Sequence, residues 1–352
     1  MSNISQVRGA LLEEAILYLL EKVGYETITN SNTSNSQELR GGHSGLEVRG
    51  RGSWHQIDAL AFFPASPAFM YPLRLMVEAK CYRENRPVGI EIVRNSIGVL
   101  KDISENYFTV QQRTGRHLQI PSFNYHSAIF STSGYTVGAI EYALAHQVFL
   151  IQYNNVSVIH PLINAIMQFG PECLTNLGQQ SIKEVREKYR NAIRNSYYHT
   201  DMRRYLTDEG IELIDNALVE TLQQIQGSYF GMLQGRWPLH LLTQQELPPN
   251  AFETDVVQCR VIGYQTGNWR FTPLYFQPDE PGWFELEFDL PEQIASLVAR
   301  EWDSREAVAN IKREHFSFIQ LSGIIGGIRR SVKLELNNEW IEEYINRIQL
   351  QT

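Results

Sequence analysis

The stretch LRLMVEAKCY, residues 73 to 82, constrains the fold most. Leu73, Leu75, Val77, Ala79 and Cys81 alternate with Arg74, Met76, Glu78, Lys80 and Tyr82, a period of two that belongs to a strand and not to a helix. One face of that strand is apolar and must be covered; the other carries an acid and a base side by side. Two further strands are expected at 54 to 63 (WHQIDALAFF) and 127 to 130 (SAIF), and the apolar run VFLIQY at 148 to 153 supplies another. Helical periodicity fills the spaces between them. QVRGALLEEAILYLLEKVG (6 to 24) opens the chain, GIEIVRNSIGVLKDISENY separates the second and third strands, and VGAIEYALAH precedes VFLIQY. Helices alternating with strands in this order predict an α/β domain whose helices cover a central sheet.

The second half changes character near residue 155. Helices are expected at 181 to 195 and 208 to 226, then strands at VVQCRVIGY, WRFTPLYF and WFELEFDL, and a last helix at NEWIEEYINRIQ, an α+β pattern without an internal repeat. At 352 residues two domains are expected, 1 to 165 and 166 to 352. The polar run between 27 and 45 reads as a surface loop or hairpin tip.

Composition limits the function classes. A hydrophobic share of 43% with 20% charged residues excludes a disordered or fibrous chain. No run approaches the length of a membrane span and the start lacks the apolar centre of a signal peptide, so a cytoplasmic protein with no membrane partner is expected. Cys81, Cys173 and Cys259 lie far apart and form no CxxC pair, which gives neither a disulfide framework nor a thiolate zinc site. The net charge of −8 argues against nucleic-acid binding through bulk positive charge. Its distribution weakens that argument: residues 1 to 170 carry 13 basic and 13 acidic side chains, residues 171 to 352 carry 18 and 26, and residues 40 to 101 carry nine against five. A local basic surface is compatible with an acidic protein.

Asp58, Glu78 and Lys80 carry the chemistry. Glu78 and Lys80 share a strand face about 7 Å apart, and Asp58 on a neighbouring strand is placed to meet them. Two carboxylates with a lysine suit phosphodiester hydrolysis, in which hard oxygen donors hold Mg²⁺ and the lysine orients or activates water. Asp58 and Glu78 are the expected ligands, and the Ala79 carbonyl is a candidate third. The first helix offers a fourth group. With Leu12 at 0° and about 100° per residue, the apolar stripe centres near 20°, Glu13 near 100° and Glu14 near 200°. Glu13 is therefore expected at the edge of the packed face and Glu14 in water.

The order helix-borne Glu13, GRGSWHQIDAL with Asp58, and VEAKCY with Glu78 and Lys80 resembles the PD-(D/E)XK nuclease superfamily, particularly Mrr-like restriction endonucleases. LLEEAILYLLEKVGYE and AIFSTSGYTVGAIEYALAHQVFLI extend the likeness over roughly residues 7 to 153. The chain departs from the pattern at Ile57, where the superfamily's name has proline, and in the serine-rich insertion at 30 to 45. The resemblance implies a restriction-endonuclease-like core, with Asp58 and Glu78 as metal ligands, Lys80 as catalytic lysine and Glu13 as accessory acid. It also implies Mg²⁺, with Mn²⁺ able to substitute, duplex DNA as substrate, and a restriction or defence role.

His55, Gln56 and Arg94 are candidate substrate contacts, against strand-end bracing for the first two and a solvated helix position for Arg94. His126 reads as a packing histidine, and GIIGGIRR (323 to 330) as a hairpin turn rather than a phosphate loop. The expected function is a metal-dependent endonuclease acting on DNA. The competing reading is a catalytically inactive nucleic-acid-binding or regulatory module with the same fold. Cutting both strands suggests a homodimer, with the helices at 181 to 226 as its expected interface. The second half is assigned specificity, dimerisation or control by a ligand or partner.

Overall fold

The computed structural model describes residues 4–28, 38–42, 45–66, 68–83, 85–105, 110–111, 117–118, 123–197, 200–264, 267–301 and 304–349. Most of the polar run between 27 and 45 lies outside the described residues, as does the end of the helix expected through Tyr107. The chain is a mixed α/β protein that divides into two compact units. One comprises residues 1–154 and 161–222, the other 155–160 and 223–352. No helix among the described residues is long and apolar enough to cross a membrane.

The first unit is built on α1 (Ile4–Val23), followed by β1 (Glu26–Ile28), β2 (Leu39–Gly41), β3 (Leu46–Arg49), β4 (Trp54–Ile57), β5 (Ala59–Phe63) and β6 (Leu73–Lys80). Then come α2 (Ile90–Ser104), the short pair β7 (Val110–Gln111) and β8 (His117–Leu118), β9 (Asn124–Ser131), α3 (Val137–His146) and β10 (Phe149–Gln152). The central sheet has the order β1-β5-β6-β9-β10. Its first three strands are antiparallel and its last two join in parallel. The parallel joins need crossovers, and α2 and α3 provide them. Where WHQIDALAFF was expected to be one strand, the chain breaks at Asp58. β4 pairs with β3 in a separate sheet of order β2-β3-β4, whereas β5 belongs to the central sheet.

After β10 come α4 (His160–Gln168), α5 (Gln179–Ile193), α6 (Asp208–Glu212) and α7 (Val219–Gln223), with a π-helical stretch at Leu213–Leu218 joining the last two. These helices belong to the first unit, so the boundary expected near 165 falls instead near 222. The cause is α1. Its buried residues include Leu12, Ile16, Leu19 and Leu20 on the expected face but also Val7, Ala10, Glu14 and Leu17 on the opposite one, and a helix apolar nearly all round must be covered on both sides. The central sheet takes one side and α5 takes the other. Glu14 therefore does not point to water: it is fully buried and ion-paired to Arg186 and Arg190 of α5. The helix assigned to a dimer interface spends this face inside its own chain.

The second unit comprises β11 (Gly227–Leu233), β12 (Trp237–Thr243), β13 (Val256–Tyr264), β14 (Gly267–Pro273), β15 (Leu286–Phe288), α8 (Glu292–Glu301), α9 (Arg305–His315), β16 (Phe318–Ile325), β17 (Ile328–Leu336) and α10 (Asn338–Gln349). Its seven-stranded sheet runs β12-β11-β16-β17-β13-β14-β15, antiparallel except for the β17–β13 pair. Trp269, Phe271, Phe288 and Phe316 pack together in its core. Residues 155–160 join this unit by hydrogen bonds from Asn155 to Asp289 and from Ser157 to Glu287. GIIGGIRR is the hairpin between β16 and β17: Gly326 and Gly327 both adopt positive φ, 61° and 75°, the two-residue turn that glycine makes without strain.

His240 on β12 is buried in this unit with its Nε2 2.8 Å from Ser228 Oγ. Burial pushes the imidazole down to about 3. Between that value and about 6.5 the unfolded chain binds a proton that the folded one excludes, so stability falls as pH drops through this window, by about 1.4 kcal/mol per unit. Urea denaturation between pH 7 and pH 4, followed by the fluorescence of Trp237, Trp269, Trp283 and Trp340, is expected to show this loss. His240→Gln is expected to flatten it, and an equal pH dependence in both proteins would contradict the assignment.

Candidate active site

Asp58 stands at the break where the chain leaves the small sheet and enters the central one. The antiparallel register Ala59↔Val77 continues to place Asp58 opposite Glu78, two residues before Lys80. The amide of Ala79 donates to Asp58 Oδ2 at 3.3 Å. Lys80 Nζ lies 2.9 Å from Glu78 Oε1 and 3.7 Å from Asp58 Oδ2. The strand end is held in place by its neighbour, since Thr132 N donates to Lys80 O at 3.1 Å and Tyr82 N donates to Thr132 Oγ1 at 3.0 Å. The three residues singled out in the sequence thus converge on one ammonium group.

Burial shapes the charges. It raises Glu78, with Lys80 opposing and Asp58 adding to the shift. Burial also works to lower Lys80, but the Glu78 and Asp58 carboxylates outweigh it and hold the ammonium above its usual value. Lys80 is therefore a stable cation here, a partner for anionic oxygen rather than a free base.

Glu13 reaches the same neighbourhood. Its carboxyl is pushed up to about 8, chiefly by burial, with Arg186 opposing, Asp58 and Glu14 raising it further and Lys80 pulling it down. The link between α1 and the sheet is Arg186. Its Nη2 donates both to Glu13 Oε2 and to the backbone carbonyl of Asp58, the latter at 3.1 Å, while its Nε donates to Glu14 Oε1 at 2.6 Å. Arg190 completes the acceptors of Glu14 with bonds of 2.7 and 2.6 Å. Burial would raise Glu14, but the two guanidinium groups overcome it and hold the carboxyl below the usual range.

The remaining candidates are placed differently. His55 sits on β4 with Nε2 2.6 Å from Asp102 Oδ2 on α2, so it braces the β3–β4 turn. Gln56 is exposed on β4, opposite Glu47. Arg94 is exposed on α2, its guanidinium 5.4 Å from the Tyr142 ring centre. His126 stacks on Phe149 at 5.8 Å, in keeping with a packing role. Sequence reasoning missed Arg186 and Asp102. Arg186 and Arg190 on α5 and Arg194 at its C-terminal cap recur every four residues and meet Glu13, Glu14 and Glu21 on α1; that one-sided arginine stripe was the available signal.

Among the described residues, no group of three or more His, Cys, Asp and Glu side chains is arranged to hold a metal ion. No protein-family model matches the chain, and no curated protein is significantly similar to it. The crystal structure of AF1548, a protein of unknown function, is similar over 53% of this chain and 99% of that one, at 16% identity and a TM-score of 0.28, a likeness too slight to bear on fold or function.

The two helix acids are expected to separate by experiment. Glu14→Gln takes the fully buried carboxylate from two partly buried arginines, which keep Glu13 and Glu187 as carboxylate partners, and is expected to destabilise the first unit by about 2–4 kcal/mol. Glu13→Gln is expected to cost much less, because its carboxyl is already close to neutrality. Thermal unfolding of both variants at neutral pH checks the ranking, and a silent Glu14→Gln would contradict it.

Proposed function

We propose that the first unit is a metal-dependent endonuclease that hydrolyses DNA phosphodiester bonds, with a restriction-endonuclease-like core formed by the central sheet, α1, α2 and α3. The observation that carries this reading is the convergence of Asp58 and Glu78, from two different strands, on the Lys80 ammonium. Placing two carboxylates and a lysine together in a partly buried site costs stability, and chemistry on a phosphate explains the arrangement.

The donor set fits Mg²⁺ or Mn²⁺ by its chemistry. Asp58 and Glu78 offer hard carboxylate oxygens, already gathered around one positive charge, and the Ala79 carbonyl is the candidate third donor. Glu13, held by Arg186, stands outside this pair as the accessory acid. A bound divalent cation would polarise the phosphate and its attacking water. The chain's own groups do the rest. Lys80 stays cationic beside the reacting phosphate, orients the water by hydrogen bonding and offsets charge that develops on the phosphate oxygens. Arg186 fixes the Asp58 backbone and the Glu13 side chain, so that the carboxylates keep their mutual positions when substrate enters.

Restriction or defence is the role that the family resemblance favours. A second unit with a core of its own is available for specificity or control. Because α5 supports the site itself, catalysis is assigned to residues 1–222 and not to a fragment ending near 165.

Purified full-length protein is expected to nick or linearise plasmid DNA with Mg²⁺ or Mn²⁺ and to lose that activity in excess EDTA. Lys80→Ala is expected to lower the cleavage rate on the order of a hundredfold or more while duplex binding stays within a few fold. Full cleavage in EDTA, or wild-type rates in Lys80→Ala, would remove this mechanism. DNA binding without cleavage under every metal condition would favour the non-catalytic module.

A further inference from the structure

The small sheet beside the site carries a concentration of arginine that the proposed hydrolysis does not use. Leu39, Leu46, Val48 and Ile57 are buried on its inner face against Leu60, Met76 and Ile103. The register pairs Arg40 with Glu47, Glu47 with Gln56, and Arg49 with Trp54, so the alternation of a strand puts all five of these side chains on the outer face. Two guanidinium groups lie near the Trp54 ring, with Arg40 4.2 Å and Arg49 6.0 Å from its centre. Arg40 also pairs with Glu47 at 2.6 Å.

The turn between β3 and β4, Arg49-Gly50-Arg51-Gly52-Ser53-Trp54, adds Arg51 and holds it rigidly. Gly52 N donates to both carboxylate oxygens of Asp102 at 3.1 and 3.2 Å, Arg51 N donates to Asp102 O at 2.9 Å, and Gly50 N donates to Ser53 O at 2.7 Å. A Cβ at Gly50 would come within 2.1 Å of Asp102 Oδ2, so glycine lets the turn lie directly on α2. The Asp102 carboxylate is committed to the Gly52 amide and to His55, and the Arg51 side chain is left exposed.

The result is two arginines on the outer face and a third, Arg51, exposed at the turn that ends it, against one glutamate on that face, in a chain whose net charge is −8. It leads straight to the site, because Ile57 at the end of β4 is followed by Asp58. From Trp54 to Asp58 is at most about 13 Å at roughly 3.3 Å per residue, which matches about four nucleotides of rise along one strand of a duplex.

We propose that the outer face of β2–β3–β4 binds the phosphate backbone of duplex DNA next to the scissile bond, with Arg40, Arg49 and Arg51 as phosphate contacts and Asp102 as the clasp that presents Arg51. The identity of the substrate rests on the nuclease reading; the surface rests on the sheet's own register and charge. Arg40 and Arg49 beside Trp54 lose little side-chain freedom on binding, which favours contact with a fixed phosphate over a flexible lysine-type contact.

The test is fluorescence anisotropy of a labelled DNA duplex with the full-length protein in EDTA, where cleavage does not intrude, over a series of salt concentrations. Arg51→Ala and Arg49→Ala are each expected to weaken binding on the order of fivefold and to reduce the salt slope by about 1, whereas Arg313→Ala in the second unit leaves both unchanged. Asp102→Ala removes a negative charge, which by charge alone strengthens binding to DNA; loss of the clasp is expected to weaken it instead, and circular dichroism verifies that each variant is folded. A wild-type protein that cuts DNA, with affinity and salt slope unaltered in Arg49→Ala and Arg51→Ala, overturns the surface and leaves the nuclease reading standing. Arginine-dependent binding without cleavage in any metal upholds the surface and removes the nuclease. Tighter binding of a duplex RNA of the same sequence overturns the assignment of DNA.

Discussion

The Arg186 guanidinium is the interaction on which the site depends. From α5 it reaches the Glu13 and Glu14 side chains on α1 and the backbone of Asp58 at the junction of two sheets. A buried carboxylate such as Glu14 is tolerated only when its acceptors are satisfied by paired donors, and Arg186 with Arg190 supplies them. That same cation ties the helix to the strand break, so packing energy and site geometry are set by one side chain. Removing α5 would expose the second apolar face of α1 and free Glu13 and Asp58 together, which is why the first unit extends to residue 222.

Much of the first unit was legible because its signals are local. The period-two run at 73 to 82 became β6, SAIF became part of β9, and the helix periodicities became α2 and α3. The convergence of Asp58, Glu78 and Lys80 followed from strand geometry, since residues two apart share a face and neighbouring strands lie about 5 Å apart. The break at Asp58 was not legible. WHQI and ALAFF read as one strand because nothing between them is a glycine or proline; the break comes from tertiary pairing, with β3 on one side and β6 on the other.

Glu14 shows a different failure. Helical phase placed it opposite the main apolar stripe, and a charged residue there reads as solvated. The same wheel puts Val7, Ala10 and Leu17 around it, a second apolar face that announces a second covering element. Long-range partners decide whether such an acid is exposed, and Arg186 lies 172 residues away from it. In the second unit the strands β13, β14 and β15 and the last helix were recognised, whereas β11, β12, β16, β17, α8 and α9 were not, although GIIGGIRR was read as the turn that joins β16 to β17. Burial alternates over Tyr229–Leu233 of β11 and Phe318–Ile325 of β16, but glycine fills the inward positions 231 and 323, so the apolar alternation is interrupted in the sequence.

A site that gathers two carboxylates around one lysine has a demand for positive charge beyond what a single ammonium meets. The most direct measurement is Mn²⁺ uptake by the full-length protein, read from the electron paramagnetic resonance of the free ion. The wild type is expected to take up Mn²⁺, and Asp58→Asn and Glu78→Gln each to lose it, while Glu335→Gln in the second unit retains it. No uptake by the wild type, or undiminished uptake in a chain carrying both site substitutions, would contradict a metal site at Asp58 and Glu78.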